Sequence, residues 1–378
     1  NGHLLQQQDY TGQGKIIAVM DGGFPGVDTA TPFARLRDNN KILGGYDYVN
    51  RDPNFYTGVS HGTMVLSTMG GYVDGQLVGT APDAKYYLFI TEDGNNEEPL
   101  EESLWVEAAE EADRLGVDIF NTSLGYTEFD NPAYNHTYED MNGTTAFISR
   151  GVNAAFSRGI ISVNSAGNSG NSSWHYVSAP ADAINALTVG AVNASGNIAD
   201  FSSRGFETSS YIKPDVAAQG VASVLSNVDG SIGIASGTSL SGPITAGMVA
   251  SLWQALPYKT NAELIQLIKE SSSQYTNPDY EKGYGIPDFN QALIGFDSNE
   301  SKDLDVYPNP TNDFITIQFP SSIENASISV YNSLGQNVLE NKLSNYNSKI
   351  SLEELESGVY IYKIEANNFS KTGKLSKN

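Results

Sequence analysis

Three short motifs place an aspartate, a histidine and a serine in one order along a chain of 378 residues. Asp21 ends a hydrophobic run and precedes two glycines, His61 begins a helical stretch, and Ser239 opens a helix rich in small residues. Nucleophilic acyl transfer uses these residue types as orienting carboxylate, general base and nucleophile. Triads of this geometry occur on unrelated folds, each with its own chain order, so the order constrains the fold as well as the chemistry.

Each motif alone has an ordinary structural interpretation. Asp21 could cap a turn or a helix, His61 could pack in a core, and Ser239 could be an N-cap. Together they require independent coincidences of residue type, flanking glycine and order. The combination therefore favours a catalytic site.

The residues that flank the triad have physical roles. Gly62 and Gly237 allow the backbone to approach a neighbouring element or a bound peptide, where a side chain would collide. The start of the helix at Ser239 offers unpaired N–H groups that favour a developing oxyanion. We expect Pro243 within about the first turn of that helix, where its missing N–H costs little.

Asn168 completes the chemistry. It follows a buried strand predicted over residues 159–164 and carries a side-chain amide donor. Such a donor, aimed at the oxygen on which charge develops, stabilises the transition state of acyl transfer. A turn asparagine is the ordinary interpretation of Asn168 by itself, but the triad favours the oxyanion role.

The four motifs resemble the signatures of subtilisin-like serine proteases, over roughly residues 7 to 295. The resemblance implies that Asp21 orients the imidazole of His61, which acts first as general base and then as general acid. It also implies that Ser239 is the nucleophile, and that its backbone N–H forms the oxyanion hole together with Asn168. The substrates would then be proteins or peptides, and the chemistry would need no cofactor.

The same resemblance suggests where a substrate binds. Ser123-Leu124-Gly125 resembles the edge whose backbone pairs with an extended peptide, so that discrimination falls to pockets for alternate side chains. Ala166 and Gly167 would form the opposite wall of the main pocket, and Ser178 would close its base. None of these residues is charged, so we expect a preference for an uncharged, apolar side chain before the cut.

Two departures from the family pattern, Met64 and Leu240-Ser241-Gly242, touch no proton-transferring group.

Two rival functions must be weighed. A degraded subtilase serving as a secreted binding module would not need an intact triad and oxyanion asparagine, and labelling by a serine-directed phosphonate would identify it. An α/β-hydrolase esterase needs Gly-x-Ser-x-Gly, but Ser241 stands here where that motif has its final glycine. In that fold the aspartate and histidine also follow the serine along the chain, whereas here they precede it.

Hydrophobic runs and helical stretches alternate along the first part of the chain. This pattern predicts an α/β fold, a mainly parallel sheet with helices on both faces, as in subtilisin-like proteases. An amphipathic helix is expected over 97–115, with its apolar stripe at Leu100, Leu104, Ala108, Ala112 and Leu115. The strands are expected at 16–20, 86–90, 117–120, 160–163 and 187–192, and further helices at 240–256 and 261–272.

The composition changes after residue 296. Residues 297–303 are polar and read as a linker, and the chain then shows period-two alternation typical of strands. We therefore predict a peptidase domain over 1–296 and a small β-sandwich over 304–378. Asn332 to Gln336 supply a hairpin turn.

The second domain resembles the C-terminal sorting domain of type IX secretion. The resemblance rests on Tyr307-Pro308-Asn309-Pro310, on Tyr331 to Gln336, on Gly358-Val359-Tyr360 and on a tail with three lysines. It implies that the type IX machinery is a partner, and that the protein is secreted or held at the surface of a Gram-negative bacterium. An accessory β-domain that binds carbohydrate or protein is the alternative.

The net charge of −23 argues against nucleic-acid or anionic-membrane partners, which need basic patches. No apolar run reaches the length of a membrane span. The chain has no cysteine, so redox chemistry says nothing about its compartment. It begins at Asn1 without a signal peptide, so we expect that any leader and pro-segment have been removed or left out.

Calcium is a possible structural ligand by family resemblance. Asp140-Met141-Asn142-Gly143 has the oxygen donors and glycine turn that hard cations favour. An ordinary Asn-Gly turn is an equally good interpretation. No metal-ligating residue is assigned from the sequence.

Overall fold

The computed structural model describes residues 2–299, 305–318, 325–332, 334–344, 348–366 and 369–378. The chain divides into two compact units, Asn1–Leu293 and Ile294–Asn378. The α-helices are α1 (His3–Gln6), α2 (Ala34–Asp38), α3 (His61–Gly70), α4 (Leu100–Arg114), α5 (Phe147–Ser157), α6 (Thr238–Ala255), α7 (Asn261–Glu270) and α8 (Phe289–Asn299).

The first unit is built on a parallel sheet of seven strands. Its strands are β1 (Ile16–Asp21), β2 (Ile42–Asp47), β5 (Lys85–Ile90), β6 (Ile119–Thr122), β7 (Ile161–Ser165), β8 (Leu187–Val192) and β9 (Val216–Gln219). Their order across the sheet is β2-β5-β1-β6-β7-β8-β9. Two short hairpins lie outside it, β3 (Tyr72–Val73) with β4 (Leu77–Val78), and β10 (Ser223–Ser226) with β11 (Ile232–Ala235).

Helices cover both faces of this sheet, which confirms the predicted fold class. On one face, α4 and α5 pack in a core cluster with Ala18, Met20 and Phe120 of β1 and β6. Successive side chains of a strand point to opposite faces, so the fully buried Ile17 and Val19 lie on the other face, where α3 and α6 pack against the strands.

The stripe predicted for α4 is wrong at its first residue. Leu104, Ala108 and Ala112 are buried as expected, but Leu100 is 58% exposed. Leu100 is the first residue of the helix, and the two residues that follow it, Glu101 and Glu102, are buried instead. Helical periodicity identifies a face, but it does not tell where the core ends along that face.

The second unit contains strands β12 to β18, all paired antiparallel. They form two sheets, β12-β13-β16 and β15-β14-β17-β18, which share one apolar core that includes Ile317, Val330 and Ile364. This agrees with the predicted small sandwich. The ranges are β12 (Asp305–Tyr307), β13 (Phe314–Gln318), β14 (Asn325–Tyr331), β15 (Asn337–Ser344), β16 (Lys349–Ser351), β17 (Gly358–Ala366) and β18 (Phe369–Lys377).

The hairpin turn expected between β14 and β15 is present. The Asn332 side chain accepts hydrogen bonds from the backbone N–H groups of Leu334 and Gln336, each at 3.0 Å. Gly335 has a φ of +78°, in the left-handed region that glycine enters without steric cost.

The residues around the expected linker are only partly described. The helix α8 continues through residues 297–299, the first three residues of that segment, and residues 300–304 lie outside the described residues. The boundaries 1–296, 297–303 and 304–378 therefore stay a prediction.

Candidate active site

The candidate side chains lie at or just beyond the carboxyl ends of parallel strands and at the starts of two helices, the usual place for ligands in an open α/β sheet. Asp21 is the last residue of β1, and Ser123-Leu124-Gly125 directly follow β6. Asn168 stands three residues beyond β7. His61 and Ser239 lie at the N-terminal ends of α3 and α6, so five separate segments supply the site.

Asp21 and His61 form a hydrogen-bonded pair. Nδ1 of His61 lies 2.8 Å from Oδ1 of Asp21, which also accepts the Gly22 N–H at 2.8 Å. The carboxylate is 1% exposed and the imidazole 38%. This geometry holds Nδ1 as the donor and leaves Nε2 free for a proton from a nucleophile.

The charge of Asp21 favours the protonated form of the His61 ring. It raises the pKa of His61 from 6.5 to about 9, against the opposing effect of burial. Gly62 makes this approach possible, because a Cβ there would collide with the carbonyl oxygen of Gly23 and lie 3.0 Å from the Asp21 Cβ. The close-approach role predicted for Gly62 therefore has a structural basis.

Ser239 and Ser123 are linked in both directions. The Ser239 hydroxyl donates to the Ser123 carbonyl oxygen, and the Ser123 hydroxyl donates to the Ser239 carbonyl oxygen, each at 3.3 Å. The first bond engages the hydroxyl hydrogen of Ser239 with the Ser123 carbonyl oxygen. The second bond fixes the first turn of α6 to the loop after β6.

The expectation that Pro243 lies in the first turn of α6 is wrong. The helix starts at Thr238, and Pro243 is inside it. Its missing N–H leaves the carbonyl of Ser239, four residues earlier, without its helical partner. The Ser123 hydroxyl donates to that carbonyl instead, so the backbone at Ser239 is held to the residue that follows β6.

Asn168 is oriented by Thr238. Its Oδ1 accepts the Thr238 N–H at 2.9 Å and the Thr238 hydroxyl at 3.0 Å. Because the oxygen is engaged twice, the amide turns its Nδ2 away from Thr238. The Thr238 hydroxyl in turn accepts the Gly167 N–H at 3.1 Å, so one side chain fixes both the asparagine and the backbone beside it.

Gly237 behaves differently from Gly62. A Cβ there would lie 3.7 Å from Nδ2 of Asn168, an ordinary contact distance. No neighbour among the described residues therefore requires a glycine at this position. The space next to the Asn168 amide remains open, as a bound carbonyl would need.

A cavity of about 160 Å³ lies beside Ser239. It brings together the predicted Ser123, Leu124, Gly125, Gly167 and Ser178 with both Asn168 and Ser239. Ser178 is 8% exposed, and its hydroxyl would collide with a Cβ at Gly125. The wall at Gly125 therefore has no room for a side chain. Thr127, Ser165, Ser169 and Thr238 also line the cavity.

Ala166 does not line this cavity. It is fully buried in a small cluster with Val177 and Ala181. Its backbone N–H donates to the Val189 carbonyl oxygen at 3.0 Å, so Ala166 continues the pairing of β7 with β8 and its side chain lies in the core.

Sequence reasoning missed Thr238 and Glu92. Thr238 precedes the nucleophile inside the motif, but nothing in the sequence tells that it bonds Asn168, 70 positions away. Glu92 follows β5; Asp21 raises the pKa of Glu92, and Glu92 in turn raises the pKa of His61. Only the strand order makes β5 a neighbour of β1.

Side-chain oxygens of the Asp140 to Gly143 loop are engaged within the loop itself. The Asp140 carboxylate accepts the N–H and the hydroxyl of Thr137, each at 2.7 Å. The Asn142 side-chain oxygen accepts the N–H groups of Thr144 and Thr145, each at 3.0 Å. These oxygens hold their own loop, and within the described residues no three His, Cys, Asp or Glu side chains come together as metal ligands.

Among the described residues, no helix is both long enough and apolar enough to cross a membrane.

Two families match the chain. The Subtilase family matches residues 12–285, and the secretion system C-terminal sorting domain matches residues 305–378. The chain is 32% identical over 285 residues to Subtilisin E of Bacillus subtilis, covering 75% of this chain and 66% of that protein. It is 31% identical to a subtilisin of Bacillus pumilus, covering 75% of this chain and 92% of that protein.

Solved structures agree on the fold of the first unit. MycP1 from Mycobacterium smegmatis has a TM-score of 0.58 at 22% identity, covering 77% of this chain and 83% of that one. The prenylagaramide maturation protease PagA has a TM-score of 0.59 at 19% identity, covering 78% and 97%.

Proposed function

This chain belongs to the subtilase family, and on that premise we propose that it is a secreted serine endopeptidase acting through an acyl-enzyme. The observation that carries the proposal is the 2.8 Å hydrogen bond between the buried Asp21 carboxylate and Nδ1 of the partly exposed His61. A carboxylate in this position fixes the tautomer of the base and stabilises the imidazolium formed during the reaction.

The chemistry proceeds in two halves. Nε2 of His61 takes the Ser239 proton as the hydroxyl attacks the scissile carbonyl carbon, and the imidazolium then protonates the leaving amine. The Asn168 amide and the Ser239 N–H stabilise the oxyanion. Water, activated by His61, then releases the acid product from the acyl-enzyme. Side chains and water account for every proton transfer, so the reaction calls on no cofactor.

We place an extended substrate along Ser123-Leu124-Gly125 by strand addition. The side chain before the cut would enter the 160 Å³ cavity. Its size and its lining by serines, threonines and glycines support a small, uncharged side chain at that position, rather than a large apolar one. Cleavage of a diverse peptide library tests this: a strong preference for lysine, arginine or a large aromatic residue before the cut would contradict it.

We propose that the C-terminal unit directs export through type IX secretion in a Gram-negative bacterium. The match to the sorting domain over residues 305–378 supports this. Within the unit, the Asn309 side chain of the predicted entry motif bonds the backbone of the last strand at Lys374 and Ser376, at 2.7 and 2.9 Å. The entry motif and the lysine-bearing tail are thus one local structure.

The test of the activity is labelling by a fluorescent serine-directed phosphonate. Wild-type protein should be labelled and should cleave casein, whereas Ser239→Ala should do neither. Ser241→Ala is the matched control, because Ser241 lies two residues away and is fully buried. Absence of labelling in folded wild-type protein would favour the binding-module alternative.

A further inference from the structure

Glu92 stands beside the catalytic pair because of the strand order. The strand β5 pairs with β1, with Ile90 opposite Asp21. The Thr91 N–H donates to the Asp21 carbonyl oxygen at 3.0 Å. Glu92 is the next residue, so it leaves the sheet at the level where β1 ends in Asp21.

Gly22 makes room for this approach. A Cβ at Gly22 would lie 2.6 Å from Cγ2 of Val59 and 4.0 Å from the Cβ of Glu92. Val59 and Glu92 therefore occupy the space that a larger residue after Asp21 would need. The Asp21 carboxylate is unusual as well, because its second oxygen, Oδ2, is buried and has no hydrogen-bond partner among the described residues.

The groups around Glu92 are mostly acidic. Burial, Asp21 and Glu97, in that order, raise the pKa of Glu92 to about 8, and Glu101 acts in the same direction. His61 opposes them. Glu92 in turn adds to the effect of Asp21 on the pKa of His61.

We propose that Glu92 is a second acidic partner of the His61 imidazole, placed beside Asp21 by the β1–β5 pairing, and that its charge stabilises the imidazolium. The proposal rests on the peptidase function above. Glu92 acts through His61 and not on the scissile bond, so it is a positioning residue and not a catalytic one.

The sign of the effect follows from charge. A neutral Glu92 leaves His61 with Asp21 alone, whereas an ionised Glu92 adds a negative charge that opposes loss of the ring proton. The two groups therefore titrate as a coupled pair, and the rise of kcat/KM with pH should be broader than a single ionisation. Its midpoint should lie above the ordinary 6.5 of a histidine, towards 9.

The experiment compares Glu92→Gln with wild type by two measurements. The first is the pH dependence of kcat/KM on a peptide with uncharged side chains. The second is the NMR titration of the His61 ring in a Ser239→Ala background, which needs no turnover. In both, Glu92→Gln should lower the midpoint by up to about 1 pH unit and narrow the transition, with KM little changed.

Two further variants separate charge from packing. Glu92→Asp keeps the carboxyl and should therefore retain part of the raised midpoint. If the effect of Glu92 were purely structural, Glu92→Asp should lower the midpoint as much as Glu92→Gln does. Glu97→Gln removes a half-buried carboxyl that acts on Glu92. It should ease the ionisation of Glu92, and so should not lower the His61 midpoint.

The outcomes are distinct. An unchanged midpoint in Glu92→Gln by NMR overturns the proposal, even where the enzyme is active. A change in KM alone places Glu92 in substrate contact and also overturns it. Wild-type protein that neither hydrolyses peptides nor reacts with a phosphonate removes the peptidase function, whereas the NMR titration still reports on the Glu92–His61 coupling.

Discussion

The two units of this chain bury different kinds of side chains. The first unit buries many polar and charged groups, among them Asp21, Asp182, Lys213 and Asp215. In the described part of the second unit, Thr311 is the one buried polar side chain. The first unit thus depends on polar side chains that must find partners in the interior, whereas the core of the second unit is built almost entirely from apolar and aromatic side chains.

The difference follows from the two kinds of sheet. A parallel sheet covered on both faces is buried as a whole, so polar residues at its strand ends and in the adjoining loops become buried and need partners there. A small antiparallel sandwich alternates apolar and polar residues, so its polar side chains point to solvent. Activity in the first unit should therefore be sensitive to single polar atoms, and stability in the second should not.

The largest expected effect is at Ser239. Ser239→Ala should reduce kcat by about 10⁶-fold, the size of loss that removal of the nucleophile causes in subtilisin, and leave both units folded. Turnover by the purified variant and its circular dichroism measure the two parts. Unchanged turnover would exclude Ser239 as the nucleophile.

Loss of a buried ion pair in the first unit should lower the free energy of unfolding, whereas loss of an exposed pair in the second unit should not. Asp215 is 2% exposed at its side chain and pairs with Lys213 at 2.7 Å and Lys269 at 2.6 Å. Asp215→Asn should lower the unfolding free energy of the first unit by about 3–5 kcal/mol, because Lys213 is left buried without its counter-charge. Urea denaturation measures this.

The matched control for that variant lies in the second unit. Lys363 pairs with Glu365 at 2.7 Å, and both side chains are well exposed. Lys363→Met should leave the unfolding of the second unit unchanged within error, because solvent screens an exposed pair. Equal losses in both variants would break the contrast between the units.

Asn168 tests the contrast in catalysis. Asn168→Ala should lower kcat by about 10²- to 10³-fold with little change in KM, because the amide acts in the transition state; this magnitude is the one found for the oxyanion asparagine of subtilisin. The exposed Asn171→Ala is the control. A loss confined to KM would place Asn168 in substrate binding instead.

Removal of the second unit should have the smallest effect on catalysis. A chain that ends at Asn299 keeps α8 and should cleave peptides with unchanged kcat/KM, because each unit has its own core. The same truncation in a native host should abolish export. Normal secretion of the shortened protein would return residues 304–378 to the accessory-domain interpretation.

The sequence was a good guide where one segment carries the signal. The five predicted strands appear within about two residues of their expected bounds, because a strand buried on both faces is a continuous hydrophobic run. Two strands of the sheet were missed. The edge strand β2 contains Gly44 and Gly45 and is only half-buried, and β9 has four residues, so neither has enough apolar pattern to stand out.

Local signals failed where a role depends on a distant partner. Pro243 was expected to be harmless near a helix start, yet it leaves the Ser239 carbonyl free to accept the hydroxyl of Ser123, which lies 116 positions before Ser239. Ala166 was expected in a pocket wall, but its side chain is buried against Val177 and Ala181. Neither outcome is visible in the residues that flank it.

The sequence by itself determined the family, the alternation of strands and helices, the identity and order of Asp21, His61 and Ser239, and the change to antiparallel strands in the second unit. Only the tertiary structure decided how Thr238 turns the Asn168 amide, how deeply Asp21 is buried and why Glu92 stands beside it. The physical reason is that residue type and periodicity are local, whereas hydrogen-bond partners and the strength of charge interactions depend on distance and burial between segments far apart in the chain.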